Sequence, residues 1–225
     1  VSTSKGKGQN IILATANKTS RHKELRKKWE RYAIDTDRQN IYITGSDARG
    51  LAYGVFHISE QIGVNPWYWF ADIPVDKNNP KVYDYQETYV SKSPTIKYRG
   101  IFINDEDWGL KTWAERNFEK ELGDIGPKTY DRVCELILRL KGNMLAPAMH
   151  TCTGAFYSHP ESQVMADKWG IMITTSHCEP LLFNNASPWE WDKNRDGEWN
   201  YETNKERILK KLDDRIRETA QYDNI

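Results

Sequence analysis

Long apolar runs are missing from this sequence, and so is an excess of charge of either sign. No stretch reaches the ~18–20 apolar residues that span a bilayer, so no membrane partner is expected. Lysine plus arginine number 32, as do aspartate plus glutamate. A dedicated nucleic-acid binder shows a basic excess, so no nucleic-acid partner is expected either. Cysteine is scarce: Cys134, Cys152 and Cys178 make an odd set that cannot serve as a disulfide framework. No secretory signal is visible, which for a chain opening on Val1 decides nothing about export. Apolar residues are only 38% and mean hydropathy is −0.79. At 225 residues the chain still suffices for a sizeable core, in one large domain or two small ones.

Aromatic residues are plentiful, with nine Trp and twelve Tyr. Such rings fill a core of modest apolar content, or stack on the C–H faces of sugars; composition by itself favours the first.

Residues 9–15, QNIILAT, read as a short buried strand. Residues 18–32 read as a charged helix with Leu25 and Trp29 spaced i,i+4. The first 31 residues hold nine Lys/Arg against two Glu, a solvated helix face rather than a polyanion site, since no aromatics interleave. Residues 40–44, NIYIT, are a second strand. Ser46 or Asp47 then caps a helix over 48–61. Its apolar stripe is Leu51, Val55, Ile58 and Ile62. Gly50 and Gly54 allow close packing on a sheet, and Gly63 ends the helix. Residues 83–90 alternate as a strand. The run Ser91-Lys92-Ser93-Pro94 is the strongest boundary signal, dividing a small α/β domain, 1–92, from a second part, 93–225.

Beyond the boundary the rhythm becomes strand, helix, strand, helix, strand, helix. Strands are expected at 97–103, 143–149 and 171–175, and helices at 127–141, 161–169 and 204–222. Val133, Leu136, Ile137 and Leu140 form the stripe of the first helix, Gly142 stops it and Gly170 stops the second. This is the pattern of parallel strands with crossover helices. Polar clusters fall just after strand ends: Asn104-Asp105-Glu106-Asp107, His150, and His177-Cys178-Glu179. Ligands of parallel α/β folds collect at that edge. Three strand–helix units fall short of the eight of a (β/α)₈ barrel, so the chain reads as the N-terminal portion of a longer protein.

His150-x-Cys152 and His177-Cys178-Glu179 have metal-ligand chemistry. A zinc site needs three or four converging ligands, and neighbours in an extended segment point to opposite faces. With no CxxC pair present, neither metal nor cofactor is expected.

Two ordered motifs carry a resemblance. One is Gly45-Ser46-Asp47-x-Arg49-Gly50 with Tyr53-Gly54, followed by Ile62-Gly63-Val64-x-Pro66-Trp67-Tyr68-Trp69-x-Ala71-Asp72-x-Pro74-Val75. The other is Lys97-Tyr98-Arg99-Gly100-Ile101-Phe102-Ile103-Asn104-Asp105-Glu106-Asp107-Trp108-Gly109-Leu110. Together with Ser176-His177-Cys178-Glu179-Pro180, these resemble the N-terminal region of glycoside hydrolase family 115, from about residue 10 onward. The resemblance implies a small α/β domain leading into the first units of a TIM barrel. It implies an inverting α-glucuronidase that removes glucuronic acid or 4-O-methyl-glucuronic acid side chains from glucuronoxylan. It also implies a secreted or periplasmic bacterial protein, and leaves room for a homodimer formed through C-terminal parts.

Glycoside hydrolysis with inversion uses two carboxyls roughly 6.5–9.5 Å apart, which adjacent residues rarely provide. The Asn104–Asp107 cluster is therefore not read as a complete acid/base pair, and the resemblance implies that the catalytic carboxylates lie on later strands, beyond Ile225. Asn104 and Asp105 are expected to bind sugar hydroxyls, with Glu106 entering the site. Trp108 is a candidate stacking platform, as are Trp189, Trp191 and Trp199, while Trp67, Tyr68 and Trp69 are read as packing. His150, His177 and Glu179 are candidates for the uronate carboxylate or a ring hydroxyl. A hexosaminidase-like glycosidase, or a non-catalytic glycan-binding or structural module, shares enough of this plan to stand as an alternative.

Overall fold

The computed structural model describes residues 10–37, 39–75, 88–104, 106–175, 179–185 and 190–224. Contacts divide them into two units. One comprises the described residues up to Lys97 with Leu138–Lys141; the other comprises Tyr98–Ile137 and Gly142 onward.

The first unit is a four-stranded mixed sheet with one helix. Strands β1 (Asn10–Thr15) and β3 (Asn40–Gly45) run parallel, Asn10 opposite Asn40. Between β3 and β4 (Tyr89–Val90) lies β2 (Tyr32–Thr36), antiparallel to both, giving the order β1-β3-β2-β4. The sequence pattern anticipated β1 and β3 but placed a helix over 18–32. Only one 3₁₀ turn forms there, Lys23–Leu25. His22, Lys27 and Glu30 adopt positive φ, which an α-helix does not tolerate. Leu25 is fully buried while Trp29 is 36% exposed, so their i,i+4 spacing is not a helical stripe. Tyr32, Ala33, Ile34 and Asp35 are instead buried between two partner strands. Two of the arginines of this segment are tied down locally. Arg21 pairs with Asp35, and Arg26 donates to the carbonyls of Ala16 and Thr19.

Helix α1 (Ala48–Gln61) follows β3, capped by the Asp47 side chain, which accepts from the Gly50 amide at 2.7 Å. Its buried face is Gly50, Tyr53, Gly54 and Ile58, rotated from the expected stripe; Val55 and Ile62 are exposed. The two glycines explain the rotation. A Cβ on Gly50 would lie 2.3 Å from the Arg31 carbonyl oxygen, and one on Gly54 2.4 Å from the Ile43 side chain. The helix seats its glycine face on the sheet because only that face lets the backbone approach so closely.

Ser91, directly after β4, acts as a structural clamp. Its hydroxyl accepts from the Tyr32 amide at 2.8 Å, its carbonyl accepts from Arg31 Nε at 2.8 Å, and its amide donates to the Tyr32 carbonyl at 2.9 Å. Replacing Ser91 by alanine strands the buried Tyr32 amide. The expected loss is about 1–3 kcal/mol by urea unfolding, whereas threonine, which keeps the hydroxyl, should recover part of it.

The second unit holds a parallel three-stranded sheet in sequential order: β5 (Gly100–Phe102), β6 (Met144–Ala146) and β7 (Met172–Ile173). Gly100 pairs with Met144, and Met144 with Met172. A five-residue π-helix, Glu106–Leu110, and helix α2 (Lys111–Asn117) follow β5; the sequence pattern showed neither. Helix α3 (Pro127–Arg139) crosses to β6. Its first amides are capped from a distance: Glu119 Oε1 accepts from Lys128 N at 2.7 Å and Thr129 N at 3.1 Å. Val133, Leu136 and Ile137 are buried as expected, joined by Tyr130 and Cys134, but Leu140 is 42% exposed. The left-handed residue beyond α3 is Lys141, not Gly142. Helix α4 (Pro160–Trp169) crosses to β7 and ends at Gly170, whose φ of 63° closes the helix as expected. Between β7 and α6 (Lys205–Thr219) lies α5 (Lys193–Asp196), a single turn capped by Asp192, inside the segment expected to be loop. Leu145, Ile171, Ile137, Tyr130 and Phe156 are essentially inaccessible and form the core. On the open edge of β7, the Ile173 amide donates to the Asn224 carbonyl at 2.8 Å, and Asn224 Nδ2 donates to the Ile171 carbonyl at 2.8 Å.

Among the described residues, no helix is long and apolar enough to cross a membrane.

Candidate functional site

Because β5, β6 and β7 are parallel and in register, the segments following them leave from one edge of the sheet. Ile103 is the last buried residue after β5, and its amide still bonds the Ala146 carbonyl at 3.0 Å. Asn104 is the first exposed residue beyond it. The π-helix then presents Asp107 and Trp108 outward, and Trp108 is 88% exposed, the most open large apolar side chain described. After β6, a turn closed by the Thr153 amide on the His150 carbonyl, 3.0 Å, sets His150 and Cys152 close together.

These two segments meet. His150 Nδ1 lies 2.7 Å from Asp107 Oδ2. Cys152 also hydrogen-bonds Asp107. That bond and, more weakly, His150 hold the exposed Asp107 carboxyl below the usual carboxylate range. Ligand atoms of Asp107, His150 and Cys152 all lie within 4.8 Å of one another. Cys134, by contrast, is buried in α3, and burial pushes its thiol far up, so it is a core residue without reactive character.

Cys152 also lines a cavity of about 380 Å³ together with Lys111, Asp124, Thr153, His159 and Glu190. Asp124 organises one wall. Its carboxylate accepts from the Ile125 amide (2.8 Å) and the Gly154 amide (2.9 Å), and faces His159 Nε2 at 2.7 Å. Lys111 reaches in from the start of α2, donating to the Gly123 carbonyl at 3.0 Å and pairing with Glu115. Glu190 closes another side. It accepts from the Asn184 amide at 2.6 Å and from Arg215 at 3.3 Å. Burial, partly offset by those two donors, holds its carboxyl above the usual range.

The expected site residues separate accordingly. Asn104, Trp108 and His150 stand exposed at the sheet edge, with His150 in contact with Asp107. The Glu106 backbone begins the π-helix. Glu179 lies further along, where its carbonyl accepts from the Thr175 hydroxyl and its backbone precedes the 3₁₀ turn Pro180–Leu182. Asp105, His177 and Trp189 lie outside the described residues. Trp191 is 6% exposed, packs edge-on to Trp199 at 4.6 Å and donates to the Gly197 carbonyl at 2.9 Å, so it holds its own loop together. Asp124, His159, Lys111 and Glu190 went unnoticed in the sequence. They stand in unpatterned polar stretches up to 79 positions apart, Lys111 to Glu190, and only the folded chain joins them.

A small mixed α/β unit and a parallel α/β unit, with acidic, amide, imidazole and indole groups at one edge of the parallel sheet, define an α/β class of protein with a polar rim. The profile of Glycosyl hydrolase family 115 matches residues 91–225, and the chain belongs to that family. Among solved structures the chain is similar to BtGH115A, described as a family GH115 4-O-methyl-α-glucuronidase with specificity for decorated arabinogalactans. Identity is 35%, the TM-score is 0.81, and the match covers 94% of this chain and 29% of that one. No curated protein matches the chain. It thus spans less than a third of the length of the glucuronidase it resembles.

Proposed function

We propose that this chain is the N-terminal portion of an inverting α-glucuronidase, removing glucuronic acid or 4-O-methyl-glucuronic acid side chains from a plant polysaccharide. In this reading residues 1–92 form the small α/β domain and residues 93–225 open a (β/α)₈ barrel. The β7 edge supports the barrel: the Ile173 amide is already engaged by Asn224, where the next strand of a sequentially ordered parallel sheet would pair. Membership of a glycoside hydrolase family fits secretion or a periplasmic location, where such a polymer is met.

The observation that carries the reading is the meeting of the β5 and β6 segments at one edge, leaving Asn104 and Trp108 open to solvent and His150 beside Asp107. Amide and carboxylate suit sugar hydroxyls, an exposed indole suits a pyranose face, and Lys111 in the adjoining cavity suits a uronate carboxylate. In this reading Asp105, Glu106, His177 and Glu179 join the same rim, and the acid/base pair comes from later strands. The backbone polymer is glucuronoxylan; decorated arabinogalactan, the specificity of BtGH115A, is the comparison substrate.

The test is release of 4-O-methyl-glucuronic acid from glucuronoxylan and from decorated arabinogalactan by the full-length protein. Asn104→Ala and Asp105→Ala should each lower kcat/KM roughly 100-fold, the size of losing a transition-state hydrogen bond in a preorganised site, with Tm unchanged. Activity retained in both variants, or no uronic acid released from either polymer, overturns the reading.

A further inference from the structure

The contact between Asp107, His150 and Cys152 is more specific than sugar binding requires. We propose that these three side chains form a binding site for a borderline divalent cation of the Zn2+ class, with its fourth coordination position open toward the neighbouring cavity.

The donor set is the first argument. One carboxylate oxygen, one imidazole nitrogen and one thiolate sulfur are the three ligand types that Zn2+ takes, whereas Mg2+ and Ca2+ take oxygen donors. Three protein ligands with an open fourth position is the arrangement of accessible rather than structural zinc sites.

Geometry is the second. Tetrahedral Zn2+ at its usual bond lengths separates neighbouring ligand atoms by about 3.3–3.6 Å. The atoms here lie within 4.8 Å of one another, and the His150–Asp107 pair is at hydrogen-bond distance, 2.7 Å. A cation replacing the proton between them asks the pair to open by roughly 0.6–0.9 Å and the widest pair to close by at most about 1.5 Å. The His150 and Asp107 side chains are 61% and 37% exposed, so they have the rotamer freedom to do both. The ligands come from two segments that the β5–β6 pairing already holds side by side, so the site is largely assembled before a cation arrives.

The order of the three groups argues against the other chemistry they suggest. In a cysteine nucleophile system the imidazole stands between thiol and carboxylate as base. Here the carboxylate stands between the other two, accepting from Cys152 and contacting His150. Two donors converging on one anionic oxygen group is what a cation site looks like when protons occupy it. Cys152 also lines the 380 Å³ cavity with Lys111, so an ion at this point would have room for a water or an anionic oxygen as its fourth ligand.

This site stands whether or not the protein cleaves glucuronides, and its test does not use activity. The full-length protein, stripped with chelator and kept reduced, is titrated with ZnCl2 by calorimetry and with CoCl2 in the spectrophotometer. One equivalent should bind, and Co2+ should give a thiolate-to-metal charge-transfer absorption that Cys152→Ser abolishes. His150→Ala and Asp107→Ala should each weaken Zn2+ binding at least ~10-fold, no less than the loss of a supporting group around a metal. In the unsubstituted protein, Zn2+ should protect Cys152 from alkylation, mapped by peptide mass spectrometry. Alkylation of Cys152 unchanged at saturating Zn2+, or Zn2+ uptake unaffected by Cys152→Ser and His150→Ala, overturns the proposal.

Discussion

Replacing Arg215 by methionine is expected to destabilise the protein by about 3–5 kcal/mol, the cost of leaving a buried charge without its partner. The Arg215 side chain on α6 is 6% exposed. Its guanidinium sits over Tyr157 (4.1 Å) and Phe183 (4.2 Å), donates to the Leu181 carbonyl at 3.0 Å, and pairs with Glu190 at 3.3 Å and Glu218 at 3.1 Å. Burial in the same place pushes the Tyr157 hydroxyl up to about 12. Methionine fills much of the volume but leaves the Glu190 carboxylate, 12% exposed, with the Asn184 amide as donor and Lys211 as a nearby positive charge.

The effect should depend on pH, in a definite direction. Glu190 already titrates above its ordinary value, chiefly through burial, and loss of Arg215 moves it further up. Between the unfolded value near ~4.3 and that raised value, the folded protein keeps a proton that the unfolded chain has released. Stability of Arg215→Met therefore falls as pH rises through that window, and the deficit is larger at neutral pH than in mild acid. Urea unfolding at several pH values measures this. Adding Glu190→Gln removes the stranded charge and should return part of the loss. A deficit below about 1 kcal/mol at neutral pH, or one independent of pH, contradicts this account.

The second large effect is expected at Gly100. This residue opposes Met144 at the start of the β5–β6 pair, and a Cβ there would lie 2.0 Å from the Met144 carbonyl oxygen. The obstacle is backbone, so no rotamer change relieves it. Arg99 and Asn143 lock the same place: the Arg99 carbonyl accepts from Asn143 N at 2.7 Å and Met144 N at 3.0 Å, and the Arg99 amide donates to Asn143 Oδ1 at 2.8 Å. Gly100→Val should therefore cost about 3 kcal/mol or more, at the upper end of overpacking penalties. It should also release the segment that carries Asn104, Asp107 and Trp108. Amide exchange at Ile101 and Ile103 should rise with the loss of stability, and the Asp107–His150 contact should be lost with it. A variant with native exchange rates and stability within about 1 kcal/mol of the parent would show that the strands pair without this close approach.

Local sequence signals succeeded where one element answers to its own residues. Strands β1 and β3 are β-branched runs bounded by turn residues, α1 announces itself with Asp47 and ends before Gly63, and α4 ends at Gly170. Family membership was legible in the same way, because its motifs are contiguous: Lys97 to Leu110 already carries β5 and the acidic segment behind it. The alternation of strand and helix after residue 97 likewise foretold a parallel sheet, which the pairing of β5, β6 and β7 confirms.

Where competing local preferences were close, tertiary partners decided. The stretch before Tyr32 carries helix-forming Lys, Glu and Leu, yet burial of Tyr32, Ala33 and Ile34 between β3 and β4 outweighs that preference. The face of α1 turned toward its glycines, because close backbone approach gains more contact there than the exposed Val55 and Ile62 would return. The candidate site obeyed the same division. Residue types and their positions after strands were written in the chain, so the exposed places of Asn104, Trp108 and His150 beyond the strand ends could be expected from it. Which carboxylate meets His150 and Cys152 could not, because that contact joins positions 107 and 150 across the β5–β6 pair. Sequence alone specified the family, the strand–helix alternation after residue 97, and those elements whose own residues decide them, such as β1, β3, α1 and α4. Only the folded chain brought Asp107 to His150 and Cys152, and Glu190 to Arg215, since electrostatic and hydrogen-bond energies depend on separations in space.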